Sequence, residues 1–198
     1  TIDDLRGQLT DTVMPVEQPS GALKLSASPS VLADGEVRYV GEPVACVIAK
    51  TAYAAEDAAA LVDASYDTLP VSADYLSAIE DGSAKAHTEF DDNIVAGFKL
   101  AYGEIEGAFT RAAHVFREAL NQHKGLGHAM ECRGVAAWLD DRDRRLTVWS
   151  GTQMAHRAQS ILVQMLDLPE DRIRVVTPHV GGGFGPKFVF YQEEVVVP

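Results

Sequence analysis

The chain is short of cysteine, short of basic residues and without a long apolar run, and each shortage removes a class of function. Its two cysteines, Cys46 and Cys132, make no metal-ligand spacing. They read as free buried thiols in a reducing compartment, so the expected location is cytoplasmic. Lys and Arg together number 17 against 29 Asp and Glu, a formal charge of −12. A nucleic-acid-binding surface needs a basic footprint, so no nucleic-acid partner is expected. No run approaches the roughly 18 apolar residues of a membrane span. No basic segment followed by an apolar core opens the chain in the manner of a secretory signal. Internal repeats and low-complexity tracts are missing as well.

What is present is ordinary for a soluble globular protein: 198 residues, 46% apolar and 23% charged. That length suffices for one large domain or two small ones with real cores. Thr1 stands where a start methionine would, and Val195-Val196-Val197-Pro198 reads as a strand cut short. The expectation is a piece of a longer polypeptide, with no inference about a targeting segment.

The most unusual stretch is Val180-Gly181-Gly182-Gly183-Phe184-Gly185-Pro186-Lys187. It follows Arg172-Ile173-Arg174-Val175-Val176-Thr177, a β-branched run that reads as a buried strand. Four glycines leave the backbone bare and open to positive φ. Such a loop suits close approach of main-chain N–H groups to an anionic or oxo ligand; it equally suits a plain tight turn. The Walker spacing is absent, and so is Gly-x-Gly-x-x-Gly opening a helix, which weighs against an ordinary nucleotide-binding protein.

Taken in order, residues 1 to about 33 read as irregular, broken by Pro15, Pro19 and Pro29. Val37 to Val40 and Val44 to Ala49 read as a strand pair about a turn at Gly41-Glu42-Pro43, the second strand buried on both faces. Thr51 offers an N-cap for an Ala-rich helix over about Ala52 to Ala64, and Ser65 to Val71 a short strand. The polar residues 80 to 97 are the best boundary. Beyond it come a short helix over Glu104 to Ala113, then a strand over His114 to Leu120. An irregular segment, Asn121 to Met130, holds Gly125 and Gly127. Strands over Gly134 to Leu139 and Leu146 to Ser150 flank a charged tip. An amphipathic helix over Ala155 to Leu166 stops before Pro169. Trp138 and Trp149 are expected in the core.

Several short patterns in this order resemble one family. Val37 to Ala45, Ala54-Ala55-Glu56-Asp57-Ala58 and Tyr66-Asp67-Thr68-Leu69-Pro70 resemble the small hammerhead domain of the xanthine oxidase family. Met130-Glu131-Cys132-Arg133-Gly134, Val148-Trp149-Ser150-Gly151-Thr152-Gln153 and Arg174-Val175-Val176 leading into the glycine loop resemble the first molybdopterin-binding domain of the same subunit. The match runs over about residues 31 to 198, nearest to bacterial N-heterocycle hydroxylases and aerobic carbon monoxide dehydrogenase large subunits. It implies an α+β fold: a small α/β-hammerhead domain over 1–85, N-terminally incomplete, a linker over 86–97, and over 98–198 the start of a mixed α/β molybdopterin-binding domain.

The resemblance also implies a chemistry. The cofactor is molybdenum-molybdopterin, the cytosine dinucleotide form included, with the metal held by the pterin and not by direct side-chain ligation. FAD and 2Fe-2S iron–sulfur clusters lie in partner subunits, and the substrate is a small molecule oxidised with water as oxygen source. The implied partners are the remaining part of the molybdopterin subunit, an FAD-binding subunit and an iron–sulfur subunit.

Residue by residue, Gln153 matches a glutamine that reaches an oxo ligand; a neutral amide stabilises negative oxygen without adding charge. Gly182, Gly183, Phe184 and Gly185 match the loop beside the cofactor, and Phe184 and Phe188 would shape the substrate pocket. Phe188 stands where purine-oxidising members carry glutamate, which argues against xanthine. An N-heterocycle, an aldehyde and carbon monoxide all stay open. Glu131 and Arg133 read as a buried acid–base pair; His123, His128 and Glu131 imitate a metal site without a scaffold to fix them. The family's catalytic glutamate belongs to a Gly-x-Gly-Glu motif that Glu193 and Glu194 do not match. No catalytic residue is therefore expected here, and the alternative is a non-catalytic interaction or scaffold module of the same fold.

Overall fold

The structure, a computed structural model, describes residues 1–15, 27–123 and 125–198. Helices α1 (Ile2–Leu5), α2 (Ala52–Ala59) and α3 (Ile105–Arg111) precede strands β1 (Val135–Leu139) and β2 (Leu146–Ser150). Helix α4 (Ala155–Leu166), strand β3 (Ile173–Val176) and helix α5 (Glu193–Val196) follow. The sheet has the order β1-β2-β3, with β1 antiparallel and β3 parallel to β2. A parallel neighbour needs a crossover, and α4 supplies it.

Alternation along the strands decides what faces the core. Leu146 and Val148 lie opposite Ile173 and Val175, and all four join the apolar cluster with Ala158, Ile161, Leu162 and Met165 of α4. These α4 residues recur at helical spacing and form one stripe. The intervening positions of the sheet therefore face away, among them Trp138 and Trp149. The two tryptophans are not the core aromatics their type predicts: they are 53% and 38% exposed.

The N-terminal residues are more than a surface meander. Ile2, Met14, Val31 and Leu32 are buried in the same cluster. The Thr10 N–H donates to Met165 O at 2.9 Å, satisfying a carbonyl that the end of α4 leaves open. Asp167, in the left-handed region, ends that helix.

The region between 37 and 120 departs most from expectation. None of the runs 37–40, 44–49, 65–71 and 114–120 forms a strand. A strand buried on both faces needs neighbours on both edges, and 44–49 has none among the described residues. Helix α2 starts where Thr51 predicts, with the Thr51 hydroxyl accepting from Ala54 N. It ends five residues early, because a short helix without a packed face is marginal and Leu61 and Val62 are exposed. Within 86–97, Asn93 binds Ala78 O, Ala84 O and the Ala86 N–H.

Two further expectations are corrected. Both cysteines are exposed; the buried-thiol reading for Cys46 depended on the strand that does not form. Residues 193–196 are helical rather than a strand, since Glu194 and Val195 turn inward together. Val195 joins the core, and the Gln192 amide reaches Tyr39 Oη at 3.1 Å. Among the described residues no helix is long and apolar enough to cross a membrane.

Candidate functional site

The parallel strands β2 and β3 point the same way, so the chain leaves both at one edge of the sheet. Open α/β sheets bind ligands at such carboxyl edges. Residues 151–154 leave β2 there, and 177–187 leave β3. The two exits are stitched together: Lys187 O accepts from the Gln153 N–H at 3.0 Å and from Thr152 Oγ1 at 3.2 Å.

Gln153 thus sits directly against the glycine loop. Its Oε1 accepts from the Gly185 N–H at 3.3 Å, and Gly183 leaves the space its carboxamide fills, since a Cβ there would collide with Oε1. With Oε1 taken, the amide nitrogen has no hydrogen-bond partner among the described residues and is free to donate. Gly182 and Gly185 take φ of 102° and 90°, and Phe184 takes 50°, which for a phenylalanine is strained. The Phe184 ring is 72% exposed. The segment 121–130 passes beside it, and a Cβ on Gly127 would lie 2.6 Å from Phe184 Cβ. Phe188 stands at the far side of the loop, with the Arg157 guanidinium 4.7 Å from its ring centre.

Beneath the loop lies a polar layer. The Ser150 hydroxyl donates to Glu194 Oε1, and the Tyr191 N–H donates to Oε2 at 2.9 Å. Burial pushes the Glu194 carboxyl above its ordinary value, against the pull of these two donors. Tyr191 Oη donates to Pro186 O at 2.7 Å, pinning the loop's end. A small cleft between Gly134, Gly151, Lys187 and Val189 opens above this layer.

Sequence patterns brought Gln153 and residues 182–185 forward, and the structure places them in contact. Glu131 and Arg133 do not pair. Arg133 Nε donates to Glu193 Oε1 at 2.8 Å and its guanidinium lies over Tyr191, while Glu131 offers its main-chain carbonyl to Lys187. Both residues are exposed, because 130–134 runs along the rim of the sheet before β1 begins. Burial works against the Arg133 charge, and its pair with Glu193 outweighs that, leaving the guanidinium above its usual value. His123, His128, His156 and His179 are exposed, and among the described residues no cluster of three or more His, Cys, Asp or Glu is placed to hold a metal. Ser150, Glu194, Tyr191 and Gly127 were not singled out as site residues by the sequence: Ser150 meets Glu194 and Gly127 meets Phe184 from far apart in the chain, and the local Tyr191 contacts to Glu194 and Pro186 each use a backbone group that no residue type announces.

Comparison with known proteins gives two family matches. Residues 86–198 match the molybdopterin cofactor-binding domain, and residues 9–70 match the aldehyde oxidase and xanthine dehydrogenase a/b hammerhead domain. The nicotine 6-hydroxylase large subunit of Paenarthrobacter nicotinovorans is 36% identical over 168 residues, 85% of this chain and 20% of that one. The carbon monoxide dehydrogenase large chain of Afipia carboxidovorans is 30% identical over 175 residues, 82% of this chain and 22% of that one. Among solved structures, quinoline 2-oxidoreductase from Pseudomonas putida 86 superposes with a TM-score of 0.83 at 31% identity, covering 98% of this chain and 24% of that one. The chain spans about a fifth of the length of these curated relatives.

Proposed function

Because the chain belongs to the aldehyde oxidase and xanthine dehydrogenase family of molybdopterin-binding subunits, we propose that Gln153 and Gly182 to Gly185 form one wall of a molybdopterin site. The observation that carries this is the Gln153 carboxamide, seated in the space left by Gly183 with its oxygen tied to Gly185. A free amide N–H₂ held rigidly beside a bare backbone is a preorganised neutral donor for an oxo or pterin oxygen. The residues present fit the group: the wall offers neutral donors, which suits a metal whose sulfur ligands come from the pterin itself. When bound, the molybdenum–pterin group supplies oxygen transfer from water and accepts two electrons.

The chain's own residues would orient and exclude. Gln153 donates to the cofactor's oxygen. Phe184, open to one side and backed by Gly127, gives the substrate an apolar face. Phe188 puts an apolar ring where a carboxylate would recognise a purine, which favours an N-heterocycle, an aldehyde or carbon monoxide. We place the division at 1–85, 86–97 and 98–198; the family matches over 9–70 and 86–198 support two units, with the second match taking in 86–97 as well. The full subunit would work in a cytoplasmic complex with FAD-binding and iron–sulfur subunits carrying 2Fe-2S clusters, and the pterin would be its cytosine dinucleotide form. Support for an assembly comes from relatives that are themselves large chains and complex subunits.

The test is Gln153→Ala in the full-length subunit within its complex, compared with Gln164→Ala. Gln164 is exposed on α4, whereas Gln159 donates to Ile173 O at 2.8 Å and is a poor control. Loss of one preorganised donor should lower turnover by about 10²-fold or reduce the bound pterin. Equal and negligible effects of the two variants would sink the assignment.

A further inference from the structure

Lys187 has the lowest exposure of any charged side chain among the described residues, at 3%, and it sits under the glycine loop. A buried ammonium is costly unless its protons find acceptors. Here Nζ donates to Glu131 O at 2.8 Å and to Val180 O, and no carboxylate lies at ion-pair distance among the described residues. The side chain therefore joins the loop's last residue to its first and ties both to 130–134. The main chain of the same residue holds the β2 exit through Gln153 and Thr152. Three segments far apart in sequence thus meet on one lysine.

We propose that Lys187 is a positioning residue: its buried ammonium closes the glycine loop onto Glu131 and so fixes the Gln153 carboxamide and the loop amides in one arrangement facing the cofactor. This rests on the molybdopterin reading above. A methionine of similar length would fill the space and leave two carbonyls unpaired. An arginine would keep the charge and the donors in a bulkier fork.

The experiment uses the full-length subunit in its complex, as wild type, K187M, K187R and the exposed-lysine control K99M. Bound molybdenum and pterin are quantified after dialysis, and the paramagnetic resonance spectrum of the molybdenum is recorded in partly reduced enzyme. K187M should lose cofactor at least about tenfold faster than wild type, since even one of the two lost hydrogen bonds from a charged donor is worth that factor. Its spectrum should shift, because the donors around the metal have moved. K187R should recover most of the retention, and K99M should match wild type. K187M with unchanged retention and spectrum overturns the role. So does equal loss in K187M and K187R without a spectral shift, the pattern of a residue needed only for folding. If K187M fails to assemble, K187Q, which keeps a donor without the charge, takes its place with the same two outcomes. A wild-type complex free of molybdenum and pterin overturns the molybdopterin reading itself, whereas a loaded wild type with an indifferent Lys187 overturns only this inference.

Discussion

In residues 135–198 Leu162, Val148 and Met165 are at most 1% exposed, whereas between 37 and 130 Val40, Ile48, Phe116 and Leu120 are at least 86% exposed. Both regions are rich in apolar, β-branched sequence. The difference lies in where the partners are. In the β2–α4–β3 unit each apolar stripe meets another within some 30 residues of chain, so burial follows from local geometry. The run Val44 to Ala49 would need neighbours on both edges, and the described residues supply none. Apolar character sets what a segment can bury, and topology sets whether it does.

The sharpest way to break this comparison is to truncate one residue in each region. Leu162→Ala should destabilise the 198-residue chain by about 3 kcal/mol, as full burial and a cavity dictate. Ile48→Ala should change stability by no more than about 0.5 kcal/mol. Urea unfolding measures both. Comparable losses would mean that 44–49 is packed in solution and the contrast is false.

How much was legible in the sequence follows the same division. The bounds of α4 could be read because spacing, the stop before Pro169 and the apolar stripe all agree. The β1 and β2 strands could be read because each is a short, mostly apolar run beside a tight charged tip. The strand reading of Val195 to Val197 failed because β-branched residues state a preference, which the docking of Val195 into the core overrides. At the site, Gln153 and the glycines stood out as patterns. The tie from Lys187 to Glu131 spans 56 residues and uses a main-chain carbonyl, so no residue type announces it.

A second test sharpens the contrast within the better-packed half. Gly181 takes φ of 61°, and a Cβ there would run into Glu131. Gly181→Ala should cost about 2 kcal/mol through backbone strain and collision. Gly41 also has positive φ, at 91°, but open space around it. Gly41→Ala should cost about 1 kcal/mol, the conformational part alone. Equal losses in thermal unfolding would show that the 130–134 segment does not press on the loop.

A third test uses pH. The folded Glu194 carboxyl is raised above 4.5, chiefly by burial. Between the unfolded and folded values the native state holds more protons than the unfolded chain, so stability falls as pH rises through that window. Below 4.5 the contribution is fully present; above the folded value it is gone. Glu194→Gln should flatten this fall in urea midpoints, and an unchanged slope would assign the pH dependence to another group.

The smallest expected effect probes whether charge, rather than packing, holds the C-terminal residues. The Arg133–Glu193 pair is short, but the side chains are 49% and 35% exposed, so water and salt screen it. Arg133 also lies over the Tyr191 ring, a contact that survives loss of its acidic partner. Glu193→Gln should therefore cost only about 0.5 kcal/mol at low ionic strength, and the difference from wild type should vanish in molar salt. Val195, buried two residues further on, anchors the same helix by packing alone. A Glu193→Gln loss as large as that of Leu162→Ala, or one that persists in salt, would mean that α5 is held mainly by its ion pair. The contrast between the two halves would then owe as much to charge placement as to apolar neighbours.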